Sequence, residues 1–139
     1  MIRHAREGDF SFLRGVSTEP SNEALRAQIG DGRVRIIEHD GRPVGFLKFV
    51  VLWENLPFVE VLFLAEPQRG HGFGRQAMRD WEREMAQAGH SRALTSTQAD
   101  ETAQVFWRKI GYEDCGSFHL PDRQNELMLQ RDISLVSAA

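Results

Sequence analysis

The 139-residue chain is 41% apolar and 27% charged and carries a formal net charge of −3 at pH 7. This balance is typical of one globular domain. We expect the domain to span residues 1–133 and the tail at 134–139 to be frayed. The acidic balance excludes nucleic acid as the default partner, no apolar run is long enough to cross a membrane, and the scattered histidines predict no metal site. The single cysteine, Cys115, excludes an intramolecular disulfide, and with an N-terminus that begins no apolar run it favours a cytoplasmic protein.

The first half of the chain predicts an edge strand, two short helices and three successive strands. The edge strand is expected at residues 2–6, and the helices follow Asp9 and Ser21 or Asn22, which are typical N-cap residues. The β-branched stretches at 33–38 and 44–52 flank an Asp40-Gly41 pair, which is a strong hairpin signal. The strand at 58–64 completes an antiparallel set.

The second half predicts a strand–helix–strand unit and then a final hairpin. A helix from about residue 73 to 88 has a core-facing stripe at three- and four-residue spacing: Phe73, Ala77, Met78, Trp81, Met85 and Ala88. A strand at 91–97, a helix from Asp100 to Ile110 and strands near 112–120 and 125–130 follow. The order β-α-α-β-β-β-α-β-α-β-β indicates a mixed α/β fold with a mostly antiparallel sheet.

A glycine-rich turn, Arg69-Gly70-His71-Gly72-Phe73-Gly74, joins the strand at 58–64 to the following helix. Backbone amides at such a turn are free to bind a phosphate group. A Walker A loop is excluded because Gly74 is followed by Arg75-Gln76 rather than Lys-Ser or Lys-Thr. The dinucleotide pattern G-x-G-x-x-A matches only loosely, and a plain capping role for the glycines stays open.

A second pattern, from Asp100 to Tyr112, contains Ala103, Trp107 and Gly111 at fixed spacing. With R-x-x-G-x-G at Arg69–Gly74, it resembles the two signatures of the GCN5-related N-acetyltransferase (GNAT) family, with Asp, Trp and Tyr where the family has Asn, Tyr and Phe. The resemblance covers about residues 1–132. It implies the GNAT fold and transfer of an acetyl group from acetyl-CoA to a primary amine, directly, in a cleft between two splayed strands.

The resemblance also implies which residues hold the cofactor. The turn and Arg75 would bind the pyrophosphate, and the backbone of the preceding strand would pair with the pantetheine arm. Asp100 stands where the family has an Asn that reaches cofactor or substrate, although a role as helix N-cap also accounts for it. Trp107 lies on the apolar stripe of its helix and is expected to pack there, either in the core or against the pantetheine arm. The implied cofactor-binding residues are Phe63, Leu64, Ala65, Arg69, Gly70, His71, Gly72, Phe73, Gly74, Arg75, Asp100 and Trp107.

For catalysis, the candidate base is Glu60, the acidic residue inside an otherwise apolar strand. Burial there would raise its pKa toward a useful value. The alternative is that Glu60 lies at the solvated start of the strand and pairs with an arginine. No general acid is evident, because Trp107 replaces the family's tyrosine and an indole cannot donate a proton at neutral pH.

Two rival functions follow from the missing acid: a CoA-binding sensor with weak or no catalysis, and an interaction domain that binds no cofactor. If the chain is an enzyme, its acidic balance favours a cationic acceptor. The acceptor would then be a small molecule or peptide with an amine, such as a polyamine, an amino acid, an aminoglycoside-like compound or a protein N-terminus. Apolar strands near the C-terminus leave a homodimer open.

Overall fold

The computed structural model describes residues 1–99 and 102–134. The helices within these ranges are α1 (Phe10–Val16), α2 (Asn22–Gly30), α3 (Phe73–Gln87) and α4 (Ala103–Lys109). The strands are β1 (Ile2–His4), β2 (Val34–His39), β3 (Arg42–Leu52), β4 (Leu56–Leu64), β5 (Arg92–Gln98), β6 (Glu113–Phe118) and β7 (Glu126–Asp132). These elements follow the predicted order, and two short 3₁₀ turns are added to it.

The strands form one 7-stranded sheet in the order β1-β2-β3-β4-β5-β7-β6. The pairs β1–β2, β2–β3, β5–β7 and β6–β7 are antiparallel, whereas β4 and β5 are parallel. The parallel pair follows from the connection through α3, because a crossover helix returns the chain in the same direction. The predicted fold class, mixed α/β with a mostly antiparallel sheet, is therefore confirmed.

Residue contacts divide the chain into two units, which we describe separately. Unit 1 comprises Met1–Phe49 and Val61–Trp81, and unit 2 comprises Val50–Glu60 and the described residues from Glu82 onward. The single domain expected over residues 1–133 stays a prediction.

Unit 1 packs side chains on both faces of its strands. Val61 and Phe63 pack with a cluster that includes Leu13 of α1, Leu25 of α2, Val34, Ile36 and Phe46. Leu62 and Leu64 point to the opposite face and pack with Ile37, Val44 and Ala77 of α3, as the two-residue alternation of a strand requires. The Asp40-Gly41 hairpin is present, with positive φ angles of 53° and 74° at these residues.

Unit 2 is built on a seven-residue antiparallel register between β5 and β7, which runs from Arg92↔Asp132 to Gln98↔Glu126. Its buried apolar side chains include Ala93, Leu94, Trp107, Ile110, Tyr112, Leu129 and Ile133. The edge strand β6 is exposed along its whole length. Among the described residues, no helix is both long and apolar enough to cross a membrane.

The two predicted helix caps have different outcomes. Ser21 caps α2, because its hydroxyl accepts a hydrogen bond from the Ala24 amide at 3.2 Å. Asp9 precedes α1 but makes no side-chain cap. Its buried carboxylate instead accepts two hydrogen bonds from the Arg3 guanidinium, each of 2.8 Å, and one of 2.9 Å from the Arg6 amide. Asp9 therefore ties the N-terminal strand to the start of α1.

Candidate active site

The glycine-rich turn has the backbone shape that its sequence predicts. After β4 ends, one 3₁₀ turn at Glu66–Gln68 leads into the loop, and α3 begins at Phe73. Gly70 and Gly72 have φ angles of 80° and 85°, a region that side-chain-bearing residues rarely adopt. A Cβ atom added at either glycine would meet nothing within 4 Å. The glycines are therefore required by the backbone conformation, and open space lies around them.

The amides of this turn have no acceptor within the part of the chain that the structure describes. The Arg69 amide donates to the Glu66 carbonyl at 3.1 Å, and the Gln76 amide donates to the Gly72 carbonyl at 3.0 Å. Between them, no protein acceptor is recorded for the amides of residues 70–75 in residues 1–99 and 102–134. These donors lie at the positive end of the α3 dipole, an arrangement suited to an anion.

Two arginines flank the amides, and their surroundings differ. The Arg69 Nε donates to the Leu64 carbonyl at 2.9 Å, and its guanidinium carbon lies 5.9 Å from the centre of the Phe63 ring. Only the terminal nitrogens of Arg69 thus remain for an anion. Arg75 is exposed, and no ion pair involving it is recorded among the described residues. Arg75 therefore has its whole guanidinium available.

The backbone at the end of β4 corrects one detail of the predicted pantetheine contact. The Ala65 amide donates to the Val44 carbonyl of β3 at 2.8 Å. A Cβ atom built on Gly45 would lie 2.2 Å from the Phe63 carbonyl, so Phe63 also faces β3. Because successive residues of a strand direct their polar groups to opposite sides, Leu64 faces away from β3. The Ala65 donor is not available to a ligand, and the Leu64 carbonyl already accepts from Arg69 Nε. This leaves the Leu64 amide as the better placed group of the three predicted residues.

The remaining residues of the turn differ in exposure. His71 is exposed and its ring centre lies 6.4 Å from that of Phe73, while Gly74 is buried. Phe73 packs against His39 of the β2–β3 hairpin, with ring centres 4.7 Å apart. His39 is distant along the chain and lies in a different motif, so the sequence around the turn gives no signal for this contact.

Glu60, the candidate base, lies in the middle of β4 and is exposed. The expectation that apolar neighbours bury its carboxylate is therefore wrong. The alternative is right about solvent exposure and wrong about the position at the start of the strand, and its pairing with an arginine stays a prediction. The preceding residue, Val59, pairs with Thr95 of β5, and the Thr95 hydroxyl donates to the Val59 carbonyl at 3.0 Å. The recorded parallel register between β4 and β5 consists of Phe58↔Leu94 and Val59↔Thr95. Glu60 is the next residue of β4 after this register.

Trp107 lies in the core of unit 2, with 5% of its surface exposed. Its ring packs edge-on against Phe106 and Tyr112, each with ring centres 5.2 Å apart. Packing is therefore its observed role, and its predicted contact with the cofactor stays a prediction. Asp100, the other predicted residue of this signature, lies outside the described residues.

A buried polar network that the sequence pattern does not predict lies beside Trp107. The Tyr112 hydroxyl donates to Glu82 Oε2 at 2.6 Å, and Arg131 donates to Glu82 Oε1 at 2.5 Å. Glu82 is fully buried although it carries a carboxylate. The available signal was its spacing, four residues after Met78 and three before Met85, within the apolar stripe of α3.

Two other kinds of chemistry find little support in the described residues. The pKa of Cys115 is raised, first by desolvation of its thiol and then by the neighbouring Asp114 carboxylate, so little reactive thiolate forms at neutral pH. No group of three or more His, Cys, Asp or Glu side chains that could hold a metal ion occurs in residues 1–99 and 102–134.

The model of the acetyltransferase (GNAT) family matches residues 1–112. No curated protein sequence matches the chain. Among solved structures, a ribosomal-protein-alanine N-acetyltransferase from Brucella melitensis is similar with a TM-score of 0.77 and 20% identity, over 95% of this chain and 99% of that chain.

Two further solved structures carry bound ligands. A GNAT family acetyltransferase from Elizabethkingia anophelis with acetyl-CoA bound has a TM-score of 0.75 and 14% identity, over 95% of this chain and 97% of that chain. An N-acetylglutamate synthase from Neisseria gonorrhoeae, complexed with coenzyme A and N-acetyl-glutamate, has a TM-score of 0.80 and 18% identity, over 96% of this chain and 35% of that chain. At these identities the likeness establishes the fold.

Proposed function

Because the chain belongs to the GNAT family of acetyltransferases, we propose that it transfers an acetyl group from acetyl-CoA to a primary amine. One observation carries this proposal: the amides of residues 70–75 lie at the start of α3 with no acceptor recorded among the described residues. A diphosphate has several oxygens that accept hydrogen bonds, so it matches a row of donors better than a single carboxylate does.

The residues at the turn fit such a group. Arg75 and the terminal nitrogens of Arg69 add charge-assisted hydrogen bonds to those of the amides. The open space around Gly70 and Gly72 lets the ligand approach the backbone closely. The proposal is further supported by the solved relative that binds acetyl-CoA. Leu64, whose polar groups face away from β3, is the residue of β4 that we propose for the pantetheine arm.

For the chemical step, acetyl-CoA supplies the acetyl group as an activated thioester. The acceptor amine must lose a proton before it can attack the thioester, and we propose Glu60 as the base that accepts this proton. Because Glu60 is exposed, it would accept the proton through a water molecule rather than within a dry pocket. A general base of this kind contributes roughly 10²–10⁴-fold to a rate.

One observation favours a second candidate, a CoA-binding protein without catalysis. Tyr112 is the sole tyrosine of the chain. It is 1% exposed, and its hydroxyl donates to the buried Glu82. No tyrosine is thus available to protonate the leaving thiolate, which would take its proton from water or from the amine. The second candidate predicts acetyl-CoA binding without turnover.

Two measurements on the purified chain test these candidates. Calorimetry with acetyl-CoA tests the cofactor site, and we expect binding in the micromolar range. Release of free thiol is then followed with a panel of amines that includes amino acids, polyamines and peptides. Binding with turnover supports the transferase, and binding without turnover of any amine supports the second candidate. An absence of binding at high micromolar acetyl-CoA would refute both and leave the interaction domain.

A further inference from the structure

A pocket of about 140 Å³ lies within unit 1, between the two N-terminal helices and the strands. Most of its wall is apolar, formed in part by Leu13 of α1, Phe46 of β3 and Val61 and Phe63 of β4. A cavity of about 150 Å³ lined by such residues accommodates benzene. The pocket therefore has room for an apolar group of about the size of a phenyl ring.

Lys48 brings a cation into this apolar wall. It lies on β3 two residues after Phe46, opposite Val34 of β2, and is half-buried. No hydrogen bond or ion pair of Lys48 is recorded in residues 1–99 and 102–134. Its Nζ is not among the buried side-chain nitrogen and oxygen atoms that lack a partner in those residues, so the ammonium keeps contact with solvent while the rest of the side chain lines the pocket. The charge is therefore open to an anionic group on a ligand.

Arg14 adds a buried, unmet donor to the lining. One of its terminal nitrogens donates to the carbonyls of Thr18 and Pro20, at 3.2 and 2.6 Å, and so holds the loop after α1. Its Nε is buried, and no partner is recorded for it among the described residues. The lining contains a carboxylate as well, that of Glu19, which is exposed. Cationic groups thus outnumber carboxylates in the wall of the pocket.

The pocket lies directly beside the glycine-rich turn. Phe63 lines the pocket, and the guanidinium of Arg69 lies over the same ring at 5.9 Å. One side chain therefore separates the pocket from the arginine that we assign to the cofactor. A molecule held in the pocket would lie close to acetyl-CoA bound at the turn. The side chain of Glu60 belongs to the other face of β4, with Leu62 and Leu64, so a proton from an amine held here would reach Glu60 only through water.

We propose that this pocket binds the amine acceptor, and that the acceptor is a small apolar amino acid derivative: an amine that carries a carboxylate and a side chain of about the size of a phenyl or leucyl group. This inference rests on the proposed function. The apolar wall takes the side chain, and Lys48 binds the carboxylate. A polyamine is disfavoured, because its charges would meet Lys48 and Arg14. The local charge of the pocket thus outweighs the acidic balance of the whole chain.

The test compares ligands that differ only in the carboxylate. Calorimetry on the CoA-loaded chain measures binding of N-acetyl-L-phenylalanine and of N-(2-phenylethyl)acetamide, the products expected from L-phenylalanine and 2-phenylethylamine. Both products are amides with an uncharged nitrogen, so a difference in the basicity of the parent amines does not affect the measured affinities. Since a hydrogen bond to a charged group contributes roughly 1.5–3 kcal/mol, we expect the carboxylated product to bind about tenfold tighter or more.

Substitutions of the two lysines of the chain test whether the preference for the carboxylated product depends on Lys48. Lys48→Met keeps the length of the side chain and removes the charge, and it should abolish the preference for the carboxylated product. Lys48→Arg should retain it. Lys109→Met, an exposed position on α4, is the matched control and should change nothing. Thermal unfolding of each variant shows whether the fold is intact.

The outcomes separate this inference from the proposed function. Equal affinity for the two products, or an equal loss of both in Lys48→Met, would overturn the pocket assignment even if another amine is acetylated. Tighter binding or faster acetylation of spermidine than of L-phenylalanine would overturn it as well. If acetyl-CoA itself fails to bind, the proposed function falls. In that case, calorimetry of the two products with the CoA-free chain and its lysine variants still decides whether the pocket binds the carboxylated ligand.

Discussion

The hydroxyl of Tyr112 donates a 2.6 Å hydrogen bond to the carboxylate of Glu82, and both side chains are almost completely buried. The second oxygen of Glu82 accepts a hydrogen bond from Arg131 of β7. A buried carboxylate is tolerated only when it is paired and hydrogen-bonded. This network therefore fixes the end of β7 and the residue before β6 to α3, and it engages the hydroxyl of the sole tyrosine of the chain.

We expect Tyr112→Phe to lower stability without lowering the rate of acetyl transfer. The substitution removes the Tyr112 hydrogen bond from a buried carboxylate, which costs about 1–3 kcal/mol. Urea unfolding measures the loss, and steady-state kinetics with acetyl-CoA and the best amine measures kcat. A kcat reduced a hundredfold in a folded variant would show instead that the tyrosine hydroxyl takes part in proton transfer.

The backbone of the glycine-rich turn gives a second prediction. Gly72→Ala and Gly89→Ala both place a side chain at a positive φ, 85° and 101° respectively, and neither added Cβ meets another atom within 4 Å. Both should cost roughly 1–2 kcal/mol of stability. Only Gly72→Ala should weaken acetyl-CoA binding, by about tenfold or more, because the added Cβ would occupy the open space through which a diphosphate approaches the backbone.

Calorimetry with acetyl-CoA checks this expectation, and thermal unfolding provides the stability of each variant. Gly89 follows α3 at its other end, so Gly89→Ala controls for strain alone. Equal affinity of the two variants for acetyl-CoA would show that the turn does not bind the cofactor.

The role of Glu60 can be tested by removing its charge alone. Glu60→Gln should lower kcat by about 10²-fold or more, since the amide cannot accept a proton from the acceptor amine. The acetyl-CoA affinity should not change. Glu113→Gln, an exposed glutamate of β6, is the control on another strand. Measurement of kcat against pH completes the test: an unchanged rate and pH profile in Glu60→Gln would contradict the assignment.

The ion pair of Asp9 predicts a stability that depends on pH. The hydrogen bonds from Arg3 hold the pKa of Asp9 below its ordinary value, the Arg6 amide adds to this effect, and burial opposes it. A lowered pKa in the folded state contributes stability above the ordinary carboxyl pKa, near 3.8, and this stability is lost as the pH falls through the folded value.

We therefore expect Asp9→Asn to cost about 2 kcal/mol at pH 7 and progressively less as the pH falls below 4. Urea unfolding at pH 7, 5 and 3 measures the difference between the two proteins. Asp31→Asn, at an exposed position after α2, should have little effect at any of these pH values. A difference for Asp9→Asn that is the same at pH 7 and pH 3 would rule out the ion pair as its cause.

Local signals in the sequence were sufficient to predict the elements and the shape of the glycine-rich turn. The Asp40-Gly41 pair predicts its hairpin because few residues other than glycine, Asn and Asp adopt positive φ angles. The spacing of Ala77, Met78 and Trp81 predicts the buried side of α3, and all three are fully buried. Gly70 and Gly72 predict a turn with positive φ angles, because glycine adopts such angles without steric cost. In each case the determining interactions lie within a few residues.

Contacts between residues far apart in the chain decided the rest. The exposure of Glu60, the pairing of Ala65 with Val44 and the burial of Glu82 against Tyr112 depend on which elements become neighbours. The pocket around Lys48 is likewise assembled from α1, α2 and three strands.

The sequence by itself thus determined the order of the elements, the fold class and the position of the glycine-rich turn, because these follow from local periodicity and backbone preference. Only the tertiary structure decided which polar groups are buried, which hydrogen-bond donors are already occupied and which charges line the pocket beside Phe63. The physical reason is that desolvation and hydrogen-bond pairing depend on the atoms that surround a group in space, and these atoms come from distant parts of the chain.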